Sequence, residues 1–335
     1  MFLPILIDGS LRRTKLPCMP HRRPSLMVTI AHFASILTLA GLGACERRSP
    51  SPRADSMKNG VTPAGDATAA RRRTNGWNLV AGPALLVQGL TREQAVVLFP
   101  SANDSDAVAQ LDSASLSAAP VTLLGRGGTR YSAQLGDPPS DDNEDCEHWP
   151  LRSITGKPAD GTWAVGFVNG RVTGLPLDSV DVLSSRDSMA LVAEASRLAS
   201  SVTLPSGPAF QGLRFTVHDI RRFEATPGVH AFVAHLTRRV NQEASPREEQ
   251  TLLIAERDSG AMSGPYQLAY AERSSGREEQ VVAPEVLAAV RIAGSTQPSL
   301  VVARDSDDGI VYALLERTGR RRWRVRWTSS ITRCG

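Results

Sequence analysis

The residues with the widest chemical reach are histidines 218, 230 and 235, the first of which is followed directly by Asp219. Hydrolytic acid–base chemistry needs an imidazole oriented by a carboxylate and aimed at a nucleophile. These histidines fall in strand-like sequence, where neighbouring side chains project to opposite faces. Asp219 therefore cannot orient His218 directly, and His230 and His235 face opposite ways. No Gly-x-Ser-x-Gly turn is present to hold a strained nucleophile. No catalytic residue is assigned on these grounds.

The metal and phosphate signals are similarly incomplete. Beyond the first 45 residues Cys146 and His148 are the one close Cys/His pair, too few for a zinc site. Asp141, Asp142, Glu144 and Asp145 cluster within a polar stretch over 137–161, and Asp305, Asp307 and Asp308 cluster further on. Calcium favours grouped oxygens, but the first group matches no calcium-loop spacing. The second keeps a calcium-dependent adhesion module open as a third reading. Gly125-Arg126-Gly127-Gly128 lacks the following lysine of a phosphate loop and reads as a turn. No metal and no cofactor is assigned.

The elements that would position these groups are mostly strands. From Trp77 onward, short apolar runs (Leu79-Val80, Ala84 to Val87, Ala95 to Phe99) are broken by Gly and Pro, with Thr91 to Gln94 able to open a short helix. Trp163 to Val168 and Arg171-Val172 flank Asn169-Gly170, a pair suited to a two-residue turn, and predict a hairpin. Ser184 or Ser185 caps a predicted helix near 186–200, with Met189, Val192, Ala193, Ser196 and Leu198 towards one face. Eight further strands are predicted, beginning near residues 213, 229, 251, 266, 286, 300, 311 and 323. In the last, Trp323, Val325 and Trp327 alternate with Arg322, Arg324 and Arg326. The arginine row would guard a sheet edge or meet an anionic glycan or lipid.

The fold class expected is thus mainly β: antiparallel sheets in two strand-rich halves, joined by one helix near 186–200. The segments are 77–183 (N-terminal β-rich domain), 184–202 (connecting helix) and 210–335 (C-terminal antiparallel β domain). The last eight strands divide into two sets of four, as in an internal duplication. The final set resembles the blades of FG-GAP or VCBS-like bacterial surface proteins. Its first inter-strand loop, Gly294 to Pro298, carries no carboxylate, so calcium binding does not follow from the resemblance.

The N-terminus reads as a targeting signal. His21-Arg22-Arg23 is a positive start, Leu26 to Leu42 a largely apolar run, and small residues precede Cys45. Met19 offers a more typical starting point than Met1. Leu42, Gly43, Ala44 and Cys45 resemble the lipobox of bacterial lipoproteins. That resemblance implies cleavage after residue 44 and a diacylglycerol on the Cys45 thiol; an ordinary signal peptide that happens to hold a cysteine is the alternative. In that family an Asp after the cysteine favours the inner membrane, whereas here Glu46 favours the outer one. Residues 45–76, rich in Pro, Ser, Ala and charge, read as a disordered tether. Its Arg71-Arg72-Arg73 run is suited to anionic head groups. In an oxidising compartment Cys146 and Cys334 are candidates for a disulfide, which would close a loop worth roughly 4–5 kcal/mol; free thiols are the alternative.

Charge bears on the partner. The 335 residues carry 38 Arg and Lys against 34 Asp and Glu, a net of +4. Twelve of those bases but only four of the acids fall in residues 1–75, so the body from 76 onward has a net charge of −4. An acidic body without a nucleic-acid motif argues against a nucleic-acid partner. The function expected is a lipid-anchored cell-envelope protein, at the outer membrane or the periplasmic face of the inner membrane. Its β module would bind or support an envelope protein or glycan without catalysis. An exported hydrolase acting on glycan or peptide is the alternative.

Overall fold

A computed structural model describes residues 76–89, 91, 93–102, 116–139, 149–156, 162–241, 245–259 and 264–333. Leu42 to Cys45, the tether up to residue 75, the acidic cluster at 141–145, Cys146 and Cys334 lie outside these residues. The chain is mainly β, with antiparallel sheets and one helix. No helix of the described residues is long and apolar enough to cross a membrane.

Six short strands close a barrel: β1 (Leu85–Gln88), β2 (Gln94–Leu98), β3 (Pro120–Gly125), β4 (Arg130–Leu135), β5 (Leu151–Thr155) and β6 (Trp163–Val168), in the order β1-β2-β5-β4-β3-β6. Leu86, Leu123, Val165 and Phe167 are buried among its strands. A Cβ on Gly166 would lie 2.7 Å from Leu123 Cδ2, so this crowded position admits only glycine without rearrangement. The described residues Thr91, Glu93 and Gln94 are not helical; Gln94 opens β2, whose residues are all buried.

Beyond the barrel the chain builds two five-stranded sheets. The central sheet holds β7 (Val172–Leu175), β13 (Ala283–Ile292), β14 (Pro298–Ser306), β15 (Gly309–Gly319) and β16 (Arg322–Thr328). The outer sheet holds β8 (Asp178–Ser179), β9 (Thr216–Thr226), β10 (Val229–Val240), β11 (Arg247–Asp258) and β12 (Gln267–Arg277). The eight strands expected after residue 210 are β9 to β16, and each set of four forms one sheet. Each sheet is completed by a strand from before residue 183, β7 beside β13 and β8 beside β9.

The layers run barrel, central sheet, outer sheet, helix. Ala288, Val290, Val301 and Leu314 of the central sheet share a core with the barrel. Its opposite face, with Val286, Leu300, Val302 and Leu315, packs on Phe223, Val233, Leu252 and Ile254 of the outer sheet. The far face of the outer sheet, including Phe232 and Leu253, receives α1 (Ser185–Ser201). This alternation places successive residues of β10 and β11 in different cores.

Three local expectations are corrected. The chain does turn at Asn169-Gly170, where Gly170 has φ 74°, but β6 and β7 do not pair. Both edges of β6 are occupied, by β1 and β3, so β7 departs to pair with β13. Ser184 caps α1 by accepting the Asp187 N–H at 3.2 Å, yet the buried stripe is Leu191, Ala195, Leu198 and Ala199, and Met189 is exposed. Small alanines on that stripe let the helix approach the sheet closely. Finally, Trp323 and Trp327 lie on opposite faces of β16: the register slips between Leu314 and Leu315, opposite Arg326, and this bulge breaks the alternation. Trp327 instead meets Trp77 edge-to-face at 4.9 Å, joining the last strand to the start of the folded body.

Candidate functional site

The histidines are brought together in a way their spacing did not suggest. A register shift in the β9–β10 pairing leaves His218 unpaired opposite His235 and Leu236. The bulge turns the His218 ring onto that of His235, 5.3 Å away and nearly parallel. His218 Nε2 shares a hydrogen bond of 2.7 Å with the Thr237 hydroxyl, which is buried in the sheet. His235 Nε2 bonds Gln250 Oε1, whose amide nitrogen donates to Glu248 at 2.6 Å. Burial lowers the His235 pKa, and the neighbouring His218 adds to this against the pull of Asp219 and Glu248. Asp219 itself holds Arg221 at 2.9 Å. Among the described residues no group of three His, Cys, Asp or Glu is placed to hold a metal. The arginine row on β16 is partly neutralised, since Arg324 and Arg326 approach Glu316 at 3.3 and 3.9 Å.

A different set of charges converges where the chain crosses from the central sheet to the outer one. There a cleft of about 570 Å³ is lined by Leu175, Pro176 and Asp178 of the crossover and by Arg222, Glu224, His230, Arg257 and Arg291 from the strands. Arg222 is on β9, Arg257 on β11 and Arg291 on β13, so both sheets contribute guanidinium groups. The crossover is held in place by the barrel. Arg130 Nη2 donates to the Gly174 carbonyl at 3.0 Å, and Gly128, at φ 83°, lies so close that a Cβ there would sit 2.5 Å from the Leu175 carbonyl oxygen.

The electrostatics of this cleft are unusual for this molecule. Several well-covered arginines elsewhere have carboxylate partners, Arg317 with Glu256, Arg238 with Glu249 and Arg304 with Glu272, whereas the buried Arg152 donates to the Leu151 carbonyl. Arg222, Arg257 and Arg291 form no ion pair among the described residues, and the Nε atoms of Arg222 and Arg291 are shut off from solvent without an acceptor. A buried donor left unmatched costs about 1–3 kcal/mol. Arg257 lies 4.5 Å over the Tyr266 ring, a contact that fixes its position without consuming its charge. Burial raises the Tyr266 pKa, and Arg257 and Arg222 partly reverse that rise. Of the two carboxylates on the lining, Glu224 accepts the Gly228 N–H at 2.9 Å, and both Asp178 and Glu224 are solvent-exposed. The cleft is thus lined by three arginines that form no ion pair among the described residues.

A second concavity, about 620 Å³, separates the barrel from the central sheet and is lined by Val87, Tyr131, Trp163, Leu287 and Tyr312. An ion pair between Arg126 and Glu285 joins its two walls. Its lining shows no comparable set of unpartnered charges.

None of the three arginines was singled out by sequence pattern. The signal available was an arginine interrupting an otherwise apolar strand, as in Val290-Arg291-Ile292. Arg222 and Arg257 sit in charged stretches, Ile220-Arg221-Arg222-Phe223-Glu224 and Glu256-Arg257-Asp258, and carry no such signal; that the three line one cleft follows only from strand order. No protein-family model matches the chain, and no curated protein or solved structure matches it.

Proposed function

We propose that this chain is a lipid-anchored cell-envelope protein whose β module binds an anionic ligand in the cleft formed by Arg222, Arg257 and Arg291. The observation that carries the binding half is that Arg222, Arg257 and Arg291 line one cleft and form no ion pair among the described residues. The anchoring half rests on Leu42-Gly43-Ala44-Cys45 and the polar tether behind it. A tether of that composition would let the body work at a distance from the membrane that holds it.

Two measurements test the reading. Intact mass spectrometry of protein from envelope fractions should find residues 1–44 removed and Cys45 acylated. An unmodified N-terminus in the soluble fraction would overturn the anchor. Melting of the full chain in mild detergent, at constant ionic strength, should shift upward when chloride is replaced by multivalent oxyanions. A melting temperature indifferent to the anion would overturn the binding site.

A further inference from the structure

The last strand and the turn before it make a basic corner on an acidic body. β16 ends the central sheet, so one of its edges has no strand beside it. Arg322 and Arg324 flank Trp323, which is buried between the two sheets, and so project from the opposite face. Arg324 and Arg326 both approach Glu316, at 3.3 and 3.9 Å, and one carboxylate balances only one of them. Arg322 forms no ion pair among the described residues. In the turn, Arg320 and Arg321 share Asp258. Five arginines thus meet two carboxylates, a local excess of three positive charges. The body as a whole has a net charge of −4.

The chain enters the fold at this same corner. A Cβ on Gly76 would overlap the Arg326 carbonyl oxygen, so the two backbones are in contact. Trp77 packs on Trp327, and its indole donates to the Gly82 carbonyl at 2.8 Å, which pins the entry point. Leu79 and Val80 follow directly and are exposed, Leu79 to 76%. Val325, between Arg324 and Arg326, is exposed too. The Arg71-Arg72-Arg73 run ends three residues before Gly76. An arginine row that only guarded a sheet edge would need charge alone. Exposed aliphatic side chains beside clustered arginines suit a bilayer interface, where head groups meet the charge and the upper acyl region takes the apolar groups.

We infer that this corner is a docking surface for an anionic phospholipid bilayer. Arg322, Arg324 and Arg326 would lie against the head groups, with Leu79 and Val80 entering between them. The same surface would repel the acidic remainder of the body, so long-range charge turns the corner towards the membrane. A flexible tether alone leaves the body free to rotate; docking fixes the face it presents to the rest of the envelope. The choice of a membrane as partner rests on the anchoring reading above, since the tether behind Cys45 meets the body here. It does not depend on the arginine cleft.

The experiment is an arginine footprint of the full chain, purified with its native processing. The protein is reconstituted with phosphatidylcholine vesicles, with or without phosphatidylglycerol, and treated with phenylglyoxal, whose guanidinium adducts are read by mass spectrometry. Arg322, Arg324 and Arg326 should react at least roughly fivefold more slowly when phosphatidylglycerol is present. Arg197 and Arg239, about half exposed on α1 and β10, should react alike on both vesicles. The protection should vanish at about 1 M salt, where charges are screened beyond about 3 Å. In the double variant Arg322→Gln, Arg324→Gln, at exposed positions, Arg326 should lose its protection, because each charge removed weakens the contact by roughly fivefold.

Flotation of the same samples separates this surface from the anchor. Flotation with both vesicles and equal reactivity of the three arginines on each would overturn the docking surface and leave the anchor standing. Flotation only with phosphatidylglycerol, with the three arginines protected, would support the surface and overturn the anchor. Flotation with neither would overturn both. Protection by soluble alginate and none by phosphatidylglycerol would assign the corner to an acidic glycan and overturn the lipid.

Discussion

Glu256 on β11 and Arg317 on β15 meet across the two facing sheets as a two-pronged ion pair. Arg317 Nε donates to Glu256 Oε1 at 2.8 Å, and its Nη2 donates to Oε2 at 3.0 Å. Both side chains are almost wholly buried, at 1% and 5% exposure. Three more groups complete the cluster: the Trp323 indole donates to Glu256 at 2.7 Å, the Arg321 N–H donates at 2.9 Å, and Gln297 accepts from Arg317 at 2.6 Å. Burial alone would raise the Glu256 pKa, but these donors outweigh it and hold the carboxyl below its ordinary value. Glu256→Gln leaves a buried guanidinium without its counter-charge and should cost about 3–5 kcal/mol in urea unfolding. Adding Arg317→Met should restore most of that loss. A double variant as unstable as the single one would show that the charge pair is not the cause.

The stacked histidines predict an acid-side weakness. The folded state holds His235 neutral with a pKa below the ordinary 6.5, so the unfolded chain takes up a proton first as pH falls. The contribution to stability is fully present above about pH 6.5 and is lost as pH drops through the lower folded value. Urea midpoints measured from pH 7.5 down to pH 5 should fall for the parent and fall less for His235→Gln. Parallel curves would remove His235 as the source.

Gly128 joins the barrel hairpin to the crossover that lines the arginine cleft. An alanine there combines a left-handed φ with a Cβ 2.5 Å from the Leu175 carbonyl oxygen, a backbone atom that cannot swing aside. Gly128→Ala should destabilise the fold by about 1–3 kcal/mol. If the crossover positions Asp178, the affinity of the cleft for oxyanions should fall with it. Thermal melting and anion titration of the same variant read the two effects separately.

Ser184 offers a milder test. Its hydroxyl accepts the Asp187 N–H at the start of α1, and Ser184→Ala should cost about 1 kcal/mol. The hydroxyl also donates to the Asp187 carboxylate at 2.8 Å, an exposed contact within the same cap, so a loss well above this would mean that α1 does more than cover Phe232 and Leu253.

Much of the secondary structure was legible from local pattern. The eight strands after residue 210 and the helix after Ser184 stand where alternation, turn residues and a cap place them, because each of these signals depends on residues close in sequence. Pairing partners were less accessible. The turn at Asn169-Gly170 is local and was found; the absence of a β6–β7 hairpin depends on β1 and β3 already occupying both edges of β6. The single-residue bulge near Arg326 reversed the expected facing of Trp327 relative to Trp323, and the one at His218 set its ring against that of His235, a contact the spacing did not specify, since a period of two residues fails on one insertion.

The amino-acid sequence by itself determined the β character, the strand and helix positions and the contrast between a basic first 75 residues and an acidic body, all of which follow from composition and short-range periodicity. It could not decide which arginines lack a partner. Arg222, Arg257 and Arg291 look no different in the sequence from Arg238 or Arg317, which are matched by carboxylates. Only the layering of two sheets, with β7 and β8 carried into them across the crossover, puts three cations around one cleft. Coulomb interactions depend on separation in space, and the order of strands sets that separation, not their order along the chain.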